Sequence, residues 1–68
     1  MSRLADIREV LEVGGWLTTT EIARSIPYTC RDFNTHRGDV YWKLRIMLRR
    51  SEVMRQKIGN ECMWRLAE

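Results

Sequence analysis

Gly38 to Arg50 reads GDVYWKLRIMLRR. Set out at about 100° per residue, it gathers Val40, Leu44, Met47 and Leu48 on one stripe and Trp42, Arg45, Ile46 and Arg49 on the other. That is an amphipathic helix with a cationic outer face. Lys43 and Arg50 fall at the margin, where a long stem rests on apolar surface and keeps its charge in water. This helix is expected to meet a partner, and the rest of the chain to hold it.

The charge around that stretch is uneven. Residues 1–30 carry three basic and four acidic side chains, residues 31–57 eight and three, and residues 58–68 one and two. The whole net charge of +3 therefore originates in the middle of the chain, which gives a field directed one way and suited to a polyanion. Ten of the twelve basic residues are Arg, whose planar fork matches phosphate oxygens and guanine edges in pairs.

Sixty-eight residues suffice for one domain. A chain of that length buries only about 60% of the surface its unfolded form exposes, so a homodimer or larger complex is a natural source of further stability. The composition is that of an ordinary soluble domain, without repeats or low-complexity tracts. No apolar run approaches the roughly 18 residues of a spanning helix, and the N-terminus lacks a signal-peptide core. No membrane association is expected, and the expected location is the cytoplasm. Cys30 and Cys62 are isolated, as reduced thiols would be. With His36 they offer three metal donors at no zinc-site spacing, so they read as two small hydrophobes and a polar loop residue. No metal or cofactor is expected. A single His, no nucleophile–base pair and no glycine-rich phosphate loop argue against an enzyme.

Taken in order, a first helix is expected from about Ser2 or Arg3 to Val13. Leu4, Ile7 and Leu11 form its stripe, Asp6, Glu9 and Glu12 face outward, and Gly14-Gly15 stops it. Trp16-Leu17 forms a short extended segment. Thr18-Thr19-Thr20-Glu21 then spells a capping box for a second helix to Ser25 or Ile26, which Pro27 ends. Pro27 to Gly38 shows no period. Tyr28 and Phe33 are expected to pin it to the core, leaving Arg31, Asn34, Thr35, His36 and Arg37 for solvent or a ligand. Asp39 is a candidate cap for the third helix, with Thr35 as an earlier one. Beyond Arg50 the period becomes two. Val53 to Ile58 and Glu61 to Leu66 read as strands around Gly59-Asn60, pairing Val53 with Leu66, Arg55 with Trp64, Lys57 with Cys62 and Ile58 with Glu61. Arg55 is then placed to lie over the Trp64 ring.

In this order of elements the chain, over about residues 3 to 67, resembles the winged helix-turn-helix family. The run from Leu17 to Ala23, the Val40/Leu44/Met47/Leu48 stripe, and Val53 with Trp64-Arg65-Leu66 of a wing carry the resemblance. It implies an α+β fold of three helices with a short strand and a C-terminal β-hairpin wing. It implies a DNA-binding protein, most often a transcriptional regulator, with the third helix in the major groove and the wing on the backbone or minor groove. Carried onto this chain, Arg37, Tyr41, Trp42 and Arg45 would reach base edges of double-stranded DNA, while Lys43, Arg49, Arg50, Arg55 and Lys57 would serve phosphates. Two features depart from the family pattern. The link before the third helix is long, and Ser51-Glu52 stands where a glycine turn is common.

Trp42 and Ile46, at i and i+4, put an apolar patch on the polar face. They could touch thymine methyls or sugars, pack under the wing or under the Pro27–Gly38 segment, or form a protein interface. The last is a second function: an interaction module in which Trp42, Ile46 and the flanking Arg residues bind a protein partner. RNA binding fits less well, because the exposed aromatics are not laid out on a sheet.

Overall fold

The computed structural model describes residues 4–28 and 31–67. Among them the elements follow as α1 (Leu4–Gly14), β1 (Leu17–Thr18), α2 (Thr19–Ser25), α3 (Phe33–Arg49), β2 (Val53–Ile58) and β3 (Glu61–Leu66). The strands form one antiparallel sheet in the order β1-β3-β2. The expected α+β class of three helices, a short strand and a C-terminal hairpin is therefore observed.

Local chemistry accounts for most of the boundaries. Ile7 and Leu11 bury the inner face of α1, and Gly15 just beyond it takes φ +68°, a left-handed conformation that ends a helix. The expected helix start at Ser2 or Arg3 lies outside the described residues. At the start of α2 the capping box is complete: the Glu21 amide donates to Thr18 Oγ1 at 3.1 Å and the Thr18 amide to Glu21 Oε1 at 3.0 Å. The bond from the Thr18 amide, with a smaller contribution from the Thr18 hydroxyl, favours the ionised carboxyl and holds Glu21 below its ordinary value of 4.5.

The hairpin has the expected register, with Val53 opposite Leu66, Arg55 opposite Trp64, Lys57 opposite Cys62 and Ile58 opposite Glu61. Gly59 at φ +62° opens a two-residue turn of the kind whose twist matches the strands. Trp64 is buried; its indole N–H donates to Thr19 Oγ1 at 2.9 Å, and Tyr41 meets it edge-on with centroids 5.9 Å apart. The Trp64 ring is thus packed by Tyr41 inside the core. The cation found over a ring among the described residues is Arg24, 5.8 Å from the Phe33 centroid, and not Arg55.

The largest correction lies ahead of the basic stretch. The irregular connection expected from Pro27 to Gly38 is half helix: α3 starts at Phe33, and Gly38 and Asp39 lie inside it. Asp32 is the cap, in place of Asp39 or Thr35, accepting from the Thr35 amide and hydroxyl, both at 3.1 Å. His36, expected to face solvent or a ligand, is buried. Its Nε2 donates to the Ala23 carbonyl at 2.8 Å, and its ring stacks on Tyr28 at 4.6 Å between centroids. An imidazole is an aromatic plate once its N–H has an acceptor, and the last turn of α2 leaves carbonyls in need of a donor.

Ser51 resolves the corner between α3 and β2. It takes φ +61°, the conformation usually given to glycine. Its amide donates to the Leu48 carbonyl at 3.0 Å and that of Glu52 to Met47 at 2.9 Å, which is the paired closure of a Schellman motif. Glu52 then ion-pairs with Arg8 of α1, fastening the corner to the first helix.

Candidate functional site

The core side of α3 is His36, Val40, Leu44 and Met47, all buried. One consequence of the earlier start is that the opposite side is longer than the sequence suggested. Asn34, Gly38, Arg45 and Arg49 lie along it in steps of four, seven and four residues, all exposed, with Trp42 beside them at 62% exposure. Ile46, one turn after Trp42, is half-buried, so their apolar patch centres on the indole.

A cleft of about 400 Å³ runs beside this row. Thr18, Thr19 and Thr20 at the start of α2 form one wall, Arg37, Gly38 and Tyr41 of α3 the second, and Asn60, Glu61 and Cys62 at the hairpin tip the third. Tyr41 is half-buried because its ring packs on Trp64. Side chains alternate along a strand, so Arg55 and Lys57 project from the sheet face that carries Trp64 and Cys62. They extend the cationic surface from α3 onto the hairpin.

The expected site residues divide by what already holds them. Lys43 is largely covered, and its Nζ lies 2.7 Å from Asp39 Oδ2 one turn earlier. Arg50 Nη1 stands 3.8 Å from Glu52 Oε2. Arg37, Arg45, Arg49, Arg55 and Lys57 are exposed and have no ion pair or hydrogen bond to another described residue.

The chain matches no family model, no curated protein and no solved structure. Unpaired guanidinium and ammonium groups on two elements flanking an open cleft are donors without acceptors, suited to the oxygens of a phosphate chain. The hydroxyls of Thr19 and Thr20 and the amide of Asn34 add neutral donors beside them. Among the described residues no group of three or more His, Cys, Asp or Glu side chains is arranged to hold a metal ion; Cys30 lies outside them. No helix of the described residues is long and apolar enough to cross a membrane.

Sequence reasoning missed Gly38 and the threonines of α2 as parts of the same cleft. The signal available was the Asp32-x-x-Thr35 spacing of a cap, which moves the start of α3 back and carries Asn34 and Gly38 onto its outer row.

Proposed function

We propose that this is a small cytoplasmic protein that binds double-stranded DNA as a winged helix-turn-helix and regulates transcription. In this reading α3 enters the major groove and the β2–β3 hairpin is the wing on the adjacent backbone. The observation that carries the reading is the set of five exposed cations with no ion-pair or hydrogen-bond partner among the described residues, shared between α3 and the Trp64 face of the hairpin. Arg45, in the middle of the outer row, is the base-edge reader, with Arg37, Tyr41 and Trp42 around it. Arg49, Arg55 and Lys57 neutralise phosphates. Lys43 and Arg50 contribute to the field from within their ion pairs.

Fluorescence anisotropy of a labelled duplex at several salt concentrations tests this directly. Binding should weaken by about 0.9 logarithmic units per phosphate contacted for each tenfold rise in salt. Arg49→Ala should lower that slope by about one, while Arg45→Ala should cost about 1–3 kcal/mol on the preferred site and flatten sequence preference. Absence of binding at low salt would overturn the proposal.

The exposure of Trp42 favours one second reading, a protein interface built on Trp42 and Ile46 with the Arg residues facing an acidic partner. Trp42→Ala should then abolish a complex while leaving affinity for DNA unchanged.

A further inference from the structure

β2 is an edge strand: in the order β1-β3-β2 no strand among the described residues pairs with its outer side. It is six residues long and pairs without interruption with β3, and every residue from Met54 to Ile58 is exposed. In a two-residue hairpin the pair next to the turn exchanges both main-chain hydrogen bonds. Ile58, Gln56 and Met54 thus direct their N–H and C=O groups to β3. The same parity continues below the strand, where the Ala67 amide donates to the Glu52 carbonyl at 3.0 Å. Val53, Arg55 and Lys57 therefore present theirs at the open edge.

An open edge is a template for another strand, and cations along it are a common guard. Here the guard stands on one face only. Arg55 and Lys57 share the α3 side with Trp64 and Cys62, whereas Met54 and Ile58 share the opposite face and are 49% and 55% exposed.

We propose that β2 pairs with β2 of a second copy, antiparallel about a two-fold axis through Gln56, and that a phosphate backbone across the cationic face drives the pairing. In this register Met54 lies opposite Ile58 of the second copy on both sides of the axis, and Gln56 lies opposite itself. Arg55 and Lys57 of the two copies exchange the outward main-chain bonds. A slip of two residues either way sets Gln56 against Met54 or Ile58 and loses both apolar pairs, so the strand is self-complementary in one register.

The other face explains the coupling. Arg55 stands opposite Lys57 twice, and like charges directly opposite each other oppose pairing. An axis perpendicular to the sheet keeps both cationic faces on one side, so a single polyanion reaches all four charges. Two six-residue edges also bury far less than the roughly 1,200 Å² of a stable interface. The dimer therefore forms where DNA holds two copies at high effective concentration. The polyanion half of this inference rests on the DNA-binding reading; the edge pairing does not.

The two halves separate experimentally. Arg55→Glu turns the four-cation cluster into two Glu–Lys pairs, so sedimentation equilibrium without DNA at low salt should show self-association about tenfold tighter than the native chain. A variant that stays as monomeric as the native chain overturns the edge pairing whatever DNA does. In a chain with Cys30→Ser and Cys62→Ser, Gln56→Cys places two thiols across the axis within disulfide reach. With a generic duplex present it should oxidise to a dimer much faster than Met54→Cys or Arg55→Cys. Equal rates at the three positions overturn the register. A fast reaction at position 56 that the duplex does not accelerate keeps the edge and overturns the coupling.

Discussion

Two buried rings fasten this small fold, and they do so by different means. Trp64 ties the hairpin to α2 through the Thr19 hydroxyl across 45 residues, and His36 ties α3 to α2 through the Ala23 carbonyl across 13. Trp64 brings a large apolar surface, with its hydrogen bond as an addition. His36 belongs in the core only because its bond is made; without an acceptor the ring would be an unsatisfied polar group. The hairpin is thus held by area, and the start of α3 by the His36 hydrogen bond, the ring's stack on Tyr28 and the partly buried Phe33 beside them.

Substitution at each ring should separate the two. Trp64→Ala should cost about 3–5 kcal/mol, a large share of what a domain this size can hold, and thermal denaturation should lose its cooperative transition. His36→Leu keeps the volume but leaves the Ala23 carbonyl without a donor, for a loss of about 1–3 kcal/mol. The urea midpoint should fall, and hydrogen exchange should quicken in the first turns of α3 before it does near Leu44. A His36→Leu chain as stable as the native one would show that the hydrogen bond does not hold the start of α3.

Smaller effects are expected at two positions of α3 and its C-terminal corner. Ser51→Gly relieves a left-handed residue and should stabilise by about 1 kcal/mol. Gly38→Ala, inside the helix where an added Cβ meets nothing within 4 Å, should stabilise by about the same amount. If Gly38→Ala also weakens DNA binding, the bare helix backbone at the cleft is itself a contact surface. The smallest effect is at Glu21, whose carboxyl should titrate below 4.5 by NMR. Its folded value is depressed, so its contribution is present above the ordinary value and fades as pH falls through the folded one. Thr18→Ala removes only the hydroxyl's smaller share and keeps the main-chain donor, so the titration should move part of the way back toward the ordinary range.

The parts of the fold that were legible are those whose signals are local. The Thr18–Glu21 box, the Gly59-Asn60 turn and the alternation of β2 and β3 each need only a few neighbouring residues, and the hairpin register follows from the turn. The Pro27–Gly38 segment was misread for the opposite reason. Phe33, His36 and Val40 sit at helical spacing, but His36 counts toward an apolar stripe only if a distant carbonyl accepts its proton. Gly38-Asp39 meanwhile imitates a helix start. In the candidate site Arg45 and Arg49 could be named from the helical pattern, and Arg55 and Lys57 from the strand alternation. That Lys43 and Arg50 are paired, and that Tyr41 is committed to Trp64, could not.

By itself the sequence determined the order of elements, the hairpin register, the α2 cap and the concentration of positive charge, because each is written in spacing shorter than a helix or a hairpin. What came from the tertiary structure is that His36 turns inward, that the corner at Ser51 is fastened to α1, and that the α2 threonines, the outer row of α3 and the hairpin tip share one cleft. Those outcomes depend on groups far apart in the chain finding each other, such as Ala23 for His36 and Thr19 for Trp64. Such partners are selected by packing and hydrogen-bond satisfaction in three dimensions, and no local pattern encodes them.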